Sequence, residues 1–355
     1  MHLFIYAHNR SNGGIQTMIR MYAEHARSHG EQVVVLSDHV DYKEKGHGED
    51  RGITILYLSV RNVLKLLFSD RKTVCVFEPN TTYLFAGLLL KFIRPSRVLS
   101  LFFVGTSSIT QPWKTHIVFQ VATRFTDRFL ALSDYVKEIL SSVVPSERID
   151  LCHNPVTVDA YTRSRLVGKR LVNVDRVVAG KNHVAMVRAF VKVAKEEPAA
   201  TLTIAGNYKK VSDPSKDSES HRQAMEIVRR ESLEDRVTFL GDQNPDQVKL
   251  LLSTSDLFLK TSRSETCGIS TIEAMASGLP VVAFDNTGTH ETVSHGRGIL
   301  VPDGDVDAMA RAILQVLSNS AEMQQLGNRA RAGAFFYDTQ KCVPEFFHLI
   351  TSKKG

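Results

Sequence analysis

Cysteine is scarce in this chain, and its placement excludes two classes of protein. The four cysteines among 355 residues lie far apart, with no CxxC pair. Zinc clusters and small disulfide scaffolds require closely spaced cysteines, so the sequence predicts neither. Scattered, unpaired cysteines are typical of a reducing compartment, and we expect a cytoplasmic protein.

Long apolar runs are also absent. The most apolar segment, Tyr83–Phe103, is interrupted by Lys91, Arg94 and Arg97. No uncharged run therefore reaches the ~18–20 residues that a membrane-spanning helix needs. The first apolar stretch is short and has no basic residues before it, which indicates a buried strand rather than a signal peptide. We expect no integral membrane segment.

Several nucleotide-binding and hydrolase motifs are missing. The turn after the first predicted strand contains Gly13-Gly14 rather than G-x-G-x-x-G, which disfavours a dinucleotide cofactor. Gly168-Lys169 and Gly180-Lys181 lack the upstream glycine and following hydroxyl of a P-loop. GxSxG and HExxH motifs are absent too, which removes support for those hydrolases. Asp303-Gly304-Asp305 precedes a predicted helix, so we interpret it as a capped turn and expect no metal.

Positive charge is concentrated in one region of the first half. The net charge is +6, and from Arg61 to Arg128 ten lysines and arginines accompany only three acidic residues. This balance favours anionic partners without requiring nucleic acid, and we expect that the protein does not bind nucleic acid. Tyr83–Phe103 fits two interpretations: a buried helix and strand with basic ends, or a helix on an anionic membrane surface.

The hydrophobic pattern predicts an α/β protein. Short β-branched or aromatic runs alternate with segments of helical period, as in consecutive βαβ units around a parallel sheet. In the first half we predict strands at His2–Ala7, Gln32–Leu36, Ile53–Leu58, Val74–Glu78, Val98–Phe103 and Phe129–Leu132, and helices at Ile15–His29, Leu84–Phe92, Thr115–Thr126 and Tyr135–Ser142. In the second half we predict strands at Arg170–Val174, Thr201–Ala205, Val237–Leu240, Leu257–Lys260 and Pro280–Ala283, and helices at His183–Glu197, Ser218–Glu231, Pro245–Ser253, Ser270–Ser277 and Val306–Ser318. The polar segment Lys209–Ser220 is expected to be an exposed loop.

The periodicity is interrupted at Asn154–Lys169, which predicts a joint between two domains. We expect an N-terminal domain over residues 1–155, a C-terminal domain over 169–330, and a helical segment over 331–355 that could pack back on the N-terminal domain. Both domains are predicted to be doubly wound and Rossmann-like. Two such domains imply a cleft between them, where ligands usually bind.

Two carboxylates in the second half are spaced in a way that points to a binding site. Glu265 and Glu273 are eight positions apart, which on a single helix would place them about 80° from a common face. Gly268 breaks that helix, so we expect Glu265 on the entering loop and Glu273 about one turn inside. The first amides of the helix, at Gly268, Ile269 and Ser270, would then form an anion site.

This spacing resembles the Glu-x7-Glu signature of the family 4 retaining glycosyltransferases, which have the GT-B architecture. The segment Asp175–Asn182 is similar to that family's GR-L-x-x-x-KN segment. Further similarities follow the order of the family's motifs. In the first half, Gly13-Gly14 resembles the family's glycine pair, and Leu132-Ser133-Asp134 with His153-Asn154-Pro155 resembles "LS-x…NG". In the second half, Phe239-Leu240-Gly241 resembles "FLG", and Gly288–Glu291 with Gly298–Pro302 resembles "GG-x-x-E…GLLVP". The resemblance extends over most of the chain.

The resemblance implies roles for individual residues. Arg176 and Lys181 would bind the donor diphosphate and stabilise the negative charge that develops on the leaving group. Glu273 would accept hydrogen bonds from the ribose hydroxyls, and Glu265 would contact the sugar and orient the donor. Gly14 would let the backbone approach the phosphates or the acceptor closely.

The sequence departs from the family pattern at several positions. Thr266-Cys267-Gly268 stands where the family has Gly-Phe-Gly, and Pro155 replaces the glycine after Asn154. The histidine that many members carry after an N-domain strand is missing. His8 and His116 are two candidates for a substitute, each also compatible with a structural role.

The resulting hypothesis is a retaining glycosyltransferase that moves a sugar from a nucleoside-diphosphate sugar to a glycan or lipid-linked hydroxyl. Bacterial surface polysaccharide or lipopolysaccharide biosynthesis would be a typical role for this family. We expect no cofactor, no metal, and a cytoplasmic location, with peripheral attachment to the inner face of the plasma membrane as an option. Two alternatives stay open: a nucleotide-sugar epimerase of GT-B fold, and a non-catalytic nucleotide-sugar-binding protein.

Overall fold

The described residues of the computed structural model form two compact units. The structure describes residues 2–6, 14–37, 47–50, 53–57, 59, 73–77, 92, 98–104, 127–162, 168–210 and 213–352. The N-terminal unit comprises Met1–Pro155 together with Thr339–Gly355, and the C-terminal unit comprises Val156–Asp338. The predicted helices Leu84–Phe92, apart from Phe92, and Thr115–Thr126 lie outside the described residues.

The described strands and helices are numbered in chain order. The strands are β1 (His2–Tyr6), β2 (Gln32–Ser37), β3 (His47–Asp50), β4 (Ile53–Tyr57), β5 (Thr73–Phe77), β6 (Val98–Val104), β7 (Arg128–Ala131), β8 (Ile149–Leu151), β9 (Arg170–Val174), β10 (Thr201–Ala205), β11 (Lys209–Lys210), β12 (Asp213–Asp217), β13 (Val237–Gly241), β14 (Leu257–Lys260), β15 (Val281–Asp285) and β16 (Ile299–Pro302). The helices are α1 (Gly14–Ser28), α2 (Asp134–Ser141), α3 (His183–Glu196), α4 (Glu219–Arg230), α5 (Pro245–Ser253), α6 (Ile269–Ala276), α7 (Thr287–Val293), α8 (Val306–Ser318), α9 (Ser320–Ala334) and α10 (Thr339–Ser352).

The N-terminal unit is built on a sheet of eight described strands in the order β3-β4-β2-β1-β5-β6-β7-β8. Its described neighbours pair in parallel except for β3, which is antiparallel to β4. The strand order reverses at β1, as in a doubly wound sheet. On α1, buried Met18, Tyr22 and Ala26 recur every four residues and so form one apolar face.

The last helix of the chain completes the core of the N-terminal unit. On α10, Phe346 packs against Tyr22 of α1, with ring centroids 4.1 Å apart. The Tyr22 hydroxyl lies 3.2 Å from the Sγ atom of Cys152, which is buried. Burial raises the pKa of the Cys152 thiol to about 12. This cysteine is therefore a protonated core residue rather than a reactive thiolate.

The C-terminal unit contains a six-stranded parallel sheet in the order β13-β10-β9-β14-β15-β16. Successive residues of its strands pack into separate apolar clusters. Leu257 and Leu259 of β14 join one cluster with α3, α4 and α8, while Phe258 joins the other with α5, α6 and α9. This period of two shows that helices cover both faces of the sheet, as its nearly continuous apolar strands require.

Some elements of the structure differ from the sequence prediction. Lys209–Ser220 is not an irregular loop throughout, because β11 and β12 pair as an antiparallel hairpin and Ser218 caps α4. The strands β3, β8 and β16 and the helices α7 and α9 were not predicted, whereas α10 lies within the helical segment predicted over residues 331–355. Asp305 caps α8 by accepting a hydrogen bond from the Ala308 amide at 2.8 Å, which confirms the capped turn. No helix in the described part of the chain is long and apolar enough to cross a bilayer.

Candidate active site

The candidate site lies at the carboxyl edge of the C-terminal sheet, where the strand order reverses. The central strand β9 has β10 on one side and β14 on the other. Ligands of doubly wound proteins bind outside the carboxyl ends of the strands at this kind of point. The segments that follow β9 and β14 are joined there by hydrogen bonds. Thr261 Oγ1 donates to the Lys181 carbonyl oxygen at 3.1 Å, and the Arg263 amide donates to the Gly180 carbonyl oxygen at 2.9 Å.

Four charged side chains meet at this edge and form a closed ring of ion pairs. The Lys260 ammonium lies 2.7 Å from Asp175 Oδ2 and 2.8 Å from Glu265 Oε1. The Lys181 ammonium donates to the same Glu265 oxygen and lies 3.3 Å from Asp175 Oδ1. Two cations thus balance two anions, which is the condition under which charges are tolerated away from water.

The lysines keep both carboxylates ionised. Burial alone would raise the pKa of Asp175, but the nearby Lys260 and Lys181 ammonium groups outweigh burial and hold that pKa below its ordinary value. The pKa of Glu265 is lowered for the same reason, with Lys260 as the strongest favourable neighbour. Burial tends to lower the pKa of Lys260, yet Asp175 and Glu265 raise it above its ordinary value. Asp175, Glu265 and Lys260 are therefore charged at neutral pH.

The two oxygens of the Glu265 carboxylate are not equivalent. Both lysine contacts go to Oε1. Within the described part of the chain, Oε2 accepts no hydrogen bond, and each lysine forms its ion pair with Oε1. A carboxylate held at one oxygen and open at the other can accept hydrogen bonds from a ligand in a defined direction.

The backbone around Glu265 is held by the neighbouring helix α7. Thr287 Oγ1 donates to the Glu265 carbonyl oxygen at 2.9 Å, and Thr292 Oγ1 donates to the Cys267 carbonyl oxygen at 2.9 Å. A Cβ atom on Gly288 would lie 2.6 Å from the Glu265 carbonyl oxygen, a distance that real Cβ atoms do not reach. Glycine at this position therefore allows the loop to approach α7 closely.

The loop and helix that carry the two glutamates match the sequence prediction. Gly268 adopts a left-handed conformation with φ of 66° and ends the loop, and α6 begins at the next residue. Glu265 precedes the helix and Glu273 is its fifth residue, about one turn inside. The amides of Ile269 and Ser270 have no carbonyl one turn earlier in α6, so they are free to bind an anion.

Glu273 is paired with a tyrosine from the start of the C-terminal unit. The Tyr161 hydroxyl donates to Glu273 Oε1 at 2.8 Å. Burial raises the pKa of Glu273, and the Tyr161 hydrogen bond opposes that rise. The pKa of Tyr161 is raised by its own burial and by the adjacent carboxylate, so Tyr161 stays a hydrogen-bond donor.

Behind the charged ring lies a neutral polar pair. Asn173 Nδ2 donates to Asp175 Oδ2 at 3.2 Å and to the Leu259 carbonyl oxygen at 2.9 Å. His183 Nε2 lies 2.9 Å from Asn173 Oδ1 and therefore donates to it. Burial, with Lys260 and Lys181 nearby, lowers the pKa of His183 to about 4, so the ring is neutral near pH 7.

The remaining predicted site residues have separate surroundings. Arg176 is exposed, and no described side chain forms a hydrogen bond or ion pair with its guanidinium. Gly14 is the first residue of α1, in the other unit. His8 and His116 lie outside the described residues. Groups of three or more His, Cys, Asp or Glu side chains that could hold a metal ion are not found in the described ranges.

Three residues of the site were missed by sequence reasoning. Lys260 ends the apolar strand Leu257-Phe258-Leu259, and a charged residue in that position was a usable signal. Asp175 stands where the similar family segment has glycine, which was a second signal. The sequence around Tyr161 contains no signal of its role, because its partner Glu273 is 112 positions away in the chain.

The sequence comparisons point to one family. Residues 163–333 match the family model described as glycosyl transferases group 1. N-acetyl-alpha-D-glucosaminyl L-malate synthase from Bacillus anthracis is 30% identical over 180 residues, covering 50% of this chain and 44% of that protein. Alpha-monoglucosyldiacylglycerol synthase from Streptococcus pneumoniae is 31% identical over 157 residues, covering 44% of this chain and 33% of that protein. The chain thus spans less than half the length of these curated relatives. The matches support a group 1 glycosyltransferase domain at residues 163–333.

The structure comparison covers nearly the whole chain. Anabaena HepE in complex with UDP and glucose is similar with a TM-score of 0.83 at 18% identity, covering 99% of this chain and 100% of that chain. At this level of identity the similarity concerns the fold. It confirms the fold class predicted from the sequence, the GT-B fold with Rossmann-like α/β domains.

Proposed function

We propose that this protein is a retaining, metal-independent glycosyltransferase that uses a nucleoside-diphosphate sugar as donor. The observation that carries the proposal is the arrangement of Glu265, Lys181 and Glu273 around the first turn of α6. At one edge of the sheet it combines the Oε2 atom of Glu265, the partly exposed ammonium of Lys181 and the free amides of the first turn of α6. Those are the groups needed to bind a sugar, a diphosphate and a ribose.

The donor diphosphate would bind at the first turn of α6. The amides of Ile269 and Ser270 offer hydrogen bonds there, and the helix dipole favours negative charge. Lys181 can reach an anion at this edge because its side chain is 22% exposed. Exposed Arg176, close by on the same loop, supplies a second cation. Positive charge fixed beside the leaving phosphate stabilises the transition state more than the ground state.

The two glutamates would divide the rest of the donor between them. Glu265 Oε2 accepts hydrogen bonds from sugar hydroxyls, because Oε1 is already occupied by the lysines. Glu273, held by Tyr161, accepts hydrogen bonds from the ribose. Glu265 is doubly ion-paired and hence a poor nucleophile, so we propose front-face attack by the acceptor hydroxyl. The departing phosphate would take the hydroxyl proton, and the anomeric configuration would be retained.

The acceptor is proposed to be a glycan or a glycolipid of a bacterial surface polymer or lipopolysaccharide. This assignment is supported by the relative named alpha-monoglucosyldiacylglycerol synthase and by the positive charge of Arg61–Arg128. We propose a cytoplasmic enzyme that contacts anionic lipid through Lys91, Arg94 and Arg97, which lie outside the described residues. Flotation with anionic liposomes at low salt should be lost in the triple alanine variant; equal flotation of both proteins would contradict the membrane contact.

Calorimetry with sugar-free UDP, GDP and ADP tests the binding roles. Lys181→Met and Glu273→Gln should each weaken the preferred nucleotide about 10- to 100-fold, since each removes a hydrogen bond to a charged group worth about 1.5–3 kcal/mol. Glu265→Gln should retain nucleotide binding and lose sugar transfer. Lys192→Met is the matched control, because Lys192 pairs with Asp307 on the exposed surface. Equal losses in the two glutamate variants, or no nucleotide binding by the wild type, would contradict the assignment.

A further inference from the structure

Lys260 is the most deeply buried cation of the candidate site. Its side chain is only 1% exposed, compared with 22% for Lys181. The Lys260 ammonium uses all its donor capacity inside the protein: it contacts Asp175, Glu265 and, at 3.3 Å, Ser270 Oγ. Lysines are almost never buried so completely unless they are paired. Lys260 is therefore fixed in place by three different segments of the unit.

The two lysines have the same partners but different freedom. Each contacts Glu265 Oε1, and each takes a different oxygen of Asp175. An incoming diphosphate can attract the Lys181 ammonium, because that side chain reaches the surface. Lys260 has no such access. Once Lys181 has moved to a phosphate, Lys260 is the cation left beside the two carboxylates.

We propose that Lys260 is a positioning residue. It holds Glu265 in its binding orientation while the Lys181 ammonium moves away from Glu265 and pairs with the donor diphosphate. The inference rests on the proposed function, since it assumes that a diphosphate binds at α6. Lys181 is then the exchangeable counter-ion of Glu265, and Lys260 is the permanent one. Glu265 stays a hydrogen-bond acceptor throughout donor binding, and its Oε2 atom stays directed to the ligand.

The different roles of Lys181 and Lys260 predict the effect of removing Lys260. In the described part of the chain, the charged groups that act on Glu265 are Lys260 on β14, Asp175 after β9 and Lys181 before α3. His183 at the start of α3 and Glu273 on α6 interact with Asp175 and Lys260. Without Lys260, only Lys181 compensates Glu265 in the free protein. When the Lys181 ammonium then pairs with the diphosphate of a bound nucleotide, Glu265 is a buried carboxylate without a counter-ion and must bind a proton.

The double variant Asp175→Asn/Lys260→Met tests this without leaving a buried unpaired charge. It removes one anion together with one cation, and methionine keeps much of the length of lysine. A single Lys260→Met change would leave Asp175 and Glu265 to share the Lys181 ammonium, one cation for two carboxylates, and a failure to fold would be uninformative. The triple variant that adds Glu265→Gln is the matched control, because it lacks the group expected to take up the proton.

The measurement is calorimetry of UDP binding near pH 6.5, or of GDP if the wild type prefers it, in buffers of different ionisation enthalpy. The double variant should take up as much as one more proton per bound nucleotide than the wild type, and the triple variant should not. Equal proton uptake by the folded, nucleotide-binding double variant and the wild type would overturn the role of Lys260. Absence of nucleotide binding by the wild type would instead refute the proposed function, and this inference with it.

Discussion

His183 provides a quantitative test of the electrostatics behind the candidate site. The side chain is fully buried at the start of α3, and the environment lowers its pKa from 6.5 to about 4. Each tenfold change in proton affinity corresponds to about 1.4 kcal/mol, so the burial of the neutral ring is linked to about 3 kcal/mol of pH-dependent stability. Replacing the ring with His183→Gln removes this titration and preserves a hydrogen-bond donor for Asn173.

The sign of the effect follows from which state binds the proton. Between pH 6.5 and about 4 the unfolded chain protonates this histidine while the folded protein does not, so the free energy of unfolding falls as the pH falls. The wild type should therefore lose about 2 kcal/mol relative to His183→Gln between pH 7 and pH 4.5. Urea unfolding followed by circular dichroism at both pH values measures this difference. A difference between the two proteins that does not change with pH would refute the reasoning.

Three further predictions concern the geometry and chemistry of the site. Gly288→Ala should shift the Glu265 loop, lower the free energy of unfolding by about 1–3 kcal/mol and reduce sugar transfer. Gly180→Ala is the control in the same unfolding and transfer assays, because a Cβ atom on Gly180 would lie in open space. Tyr161→Phe should weaken nucleotide binding about fivefold, because Glu273 loses a hydrogen bond worth about 1 kcal/mol; calorimetry with unchanged affinity would contradict the pairing. Excess EDTA should leave turnover unchanged in a product assay, whereas loss of turnover that Mg²⁺ or Mn²⁺ restores would exclude the metal-independent mechanism.

The strands of the C-terminal sheet could be predicted where burial made the sequence apolar. The predicted bounds of β9, β10 and β14 agree with the structure, because apolar and β-branched residues predominate in all three, as a parallel strand covered on both faces requires. The edge strand β3, with the sequence His47-Gly48-Glu49-Asp50, carries no such pattern. Its pairing depends on the neighbouring strand β4, so local sequence could not reveal it.

The candidate site could be predicted only where its residues are close in sequence. Glu265, Gly268 and Glu273 share one loop and helix, so their spacing and the helix break gave their relative placement. The ring that joins Lys260 to Asp175 links segments 85 positions apart. Such a contact is created by the parallel pairing of β9 and β14 and is not encoded in either segment alone.

Sugar transfer from a nucleoside-diphosphate sugar is the central claim, and proton NMR of the donor tests it most directly. UDP-glucose, UDP-N-acetylglucosamine and GDP-mannose are each incubated with the wild type and with Glu265→Gln. With no other acceptor present, water supplies the attacking hydroxyl. The account therefore predicts that the wild type hydrolyses one donor to the nucleoside diphosphate and a free sugar that first appears with the donor's anomeric configuration, while Glu265→Gln does not. An inverted sugar, a released epimer, or a bound donor that is never consumed would contradict it.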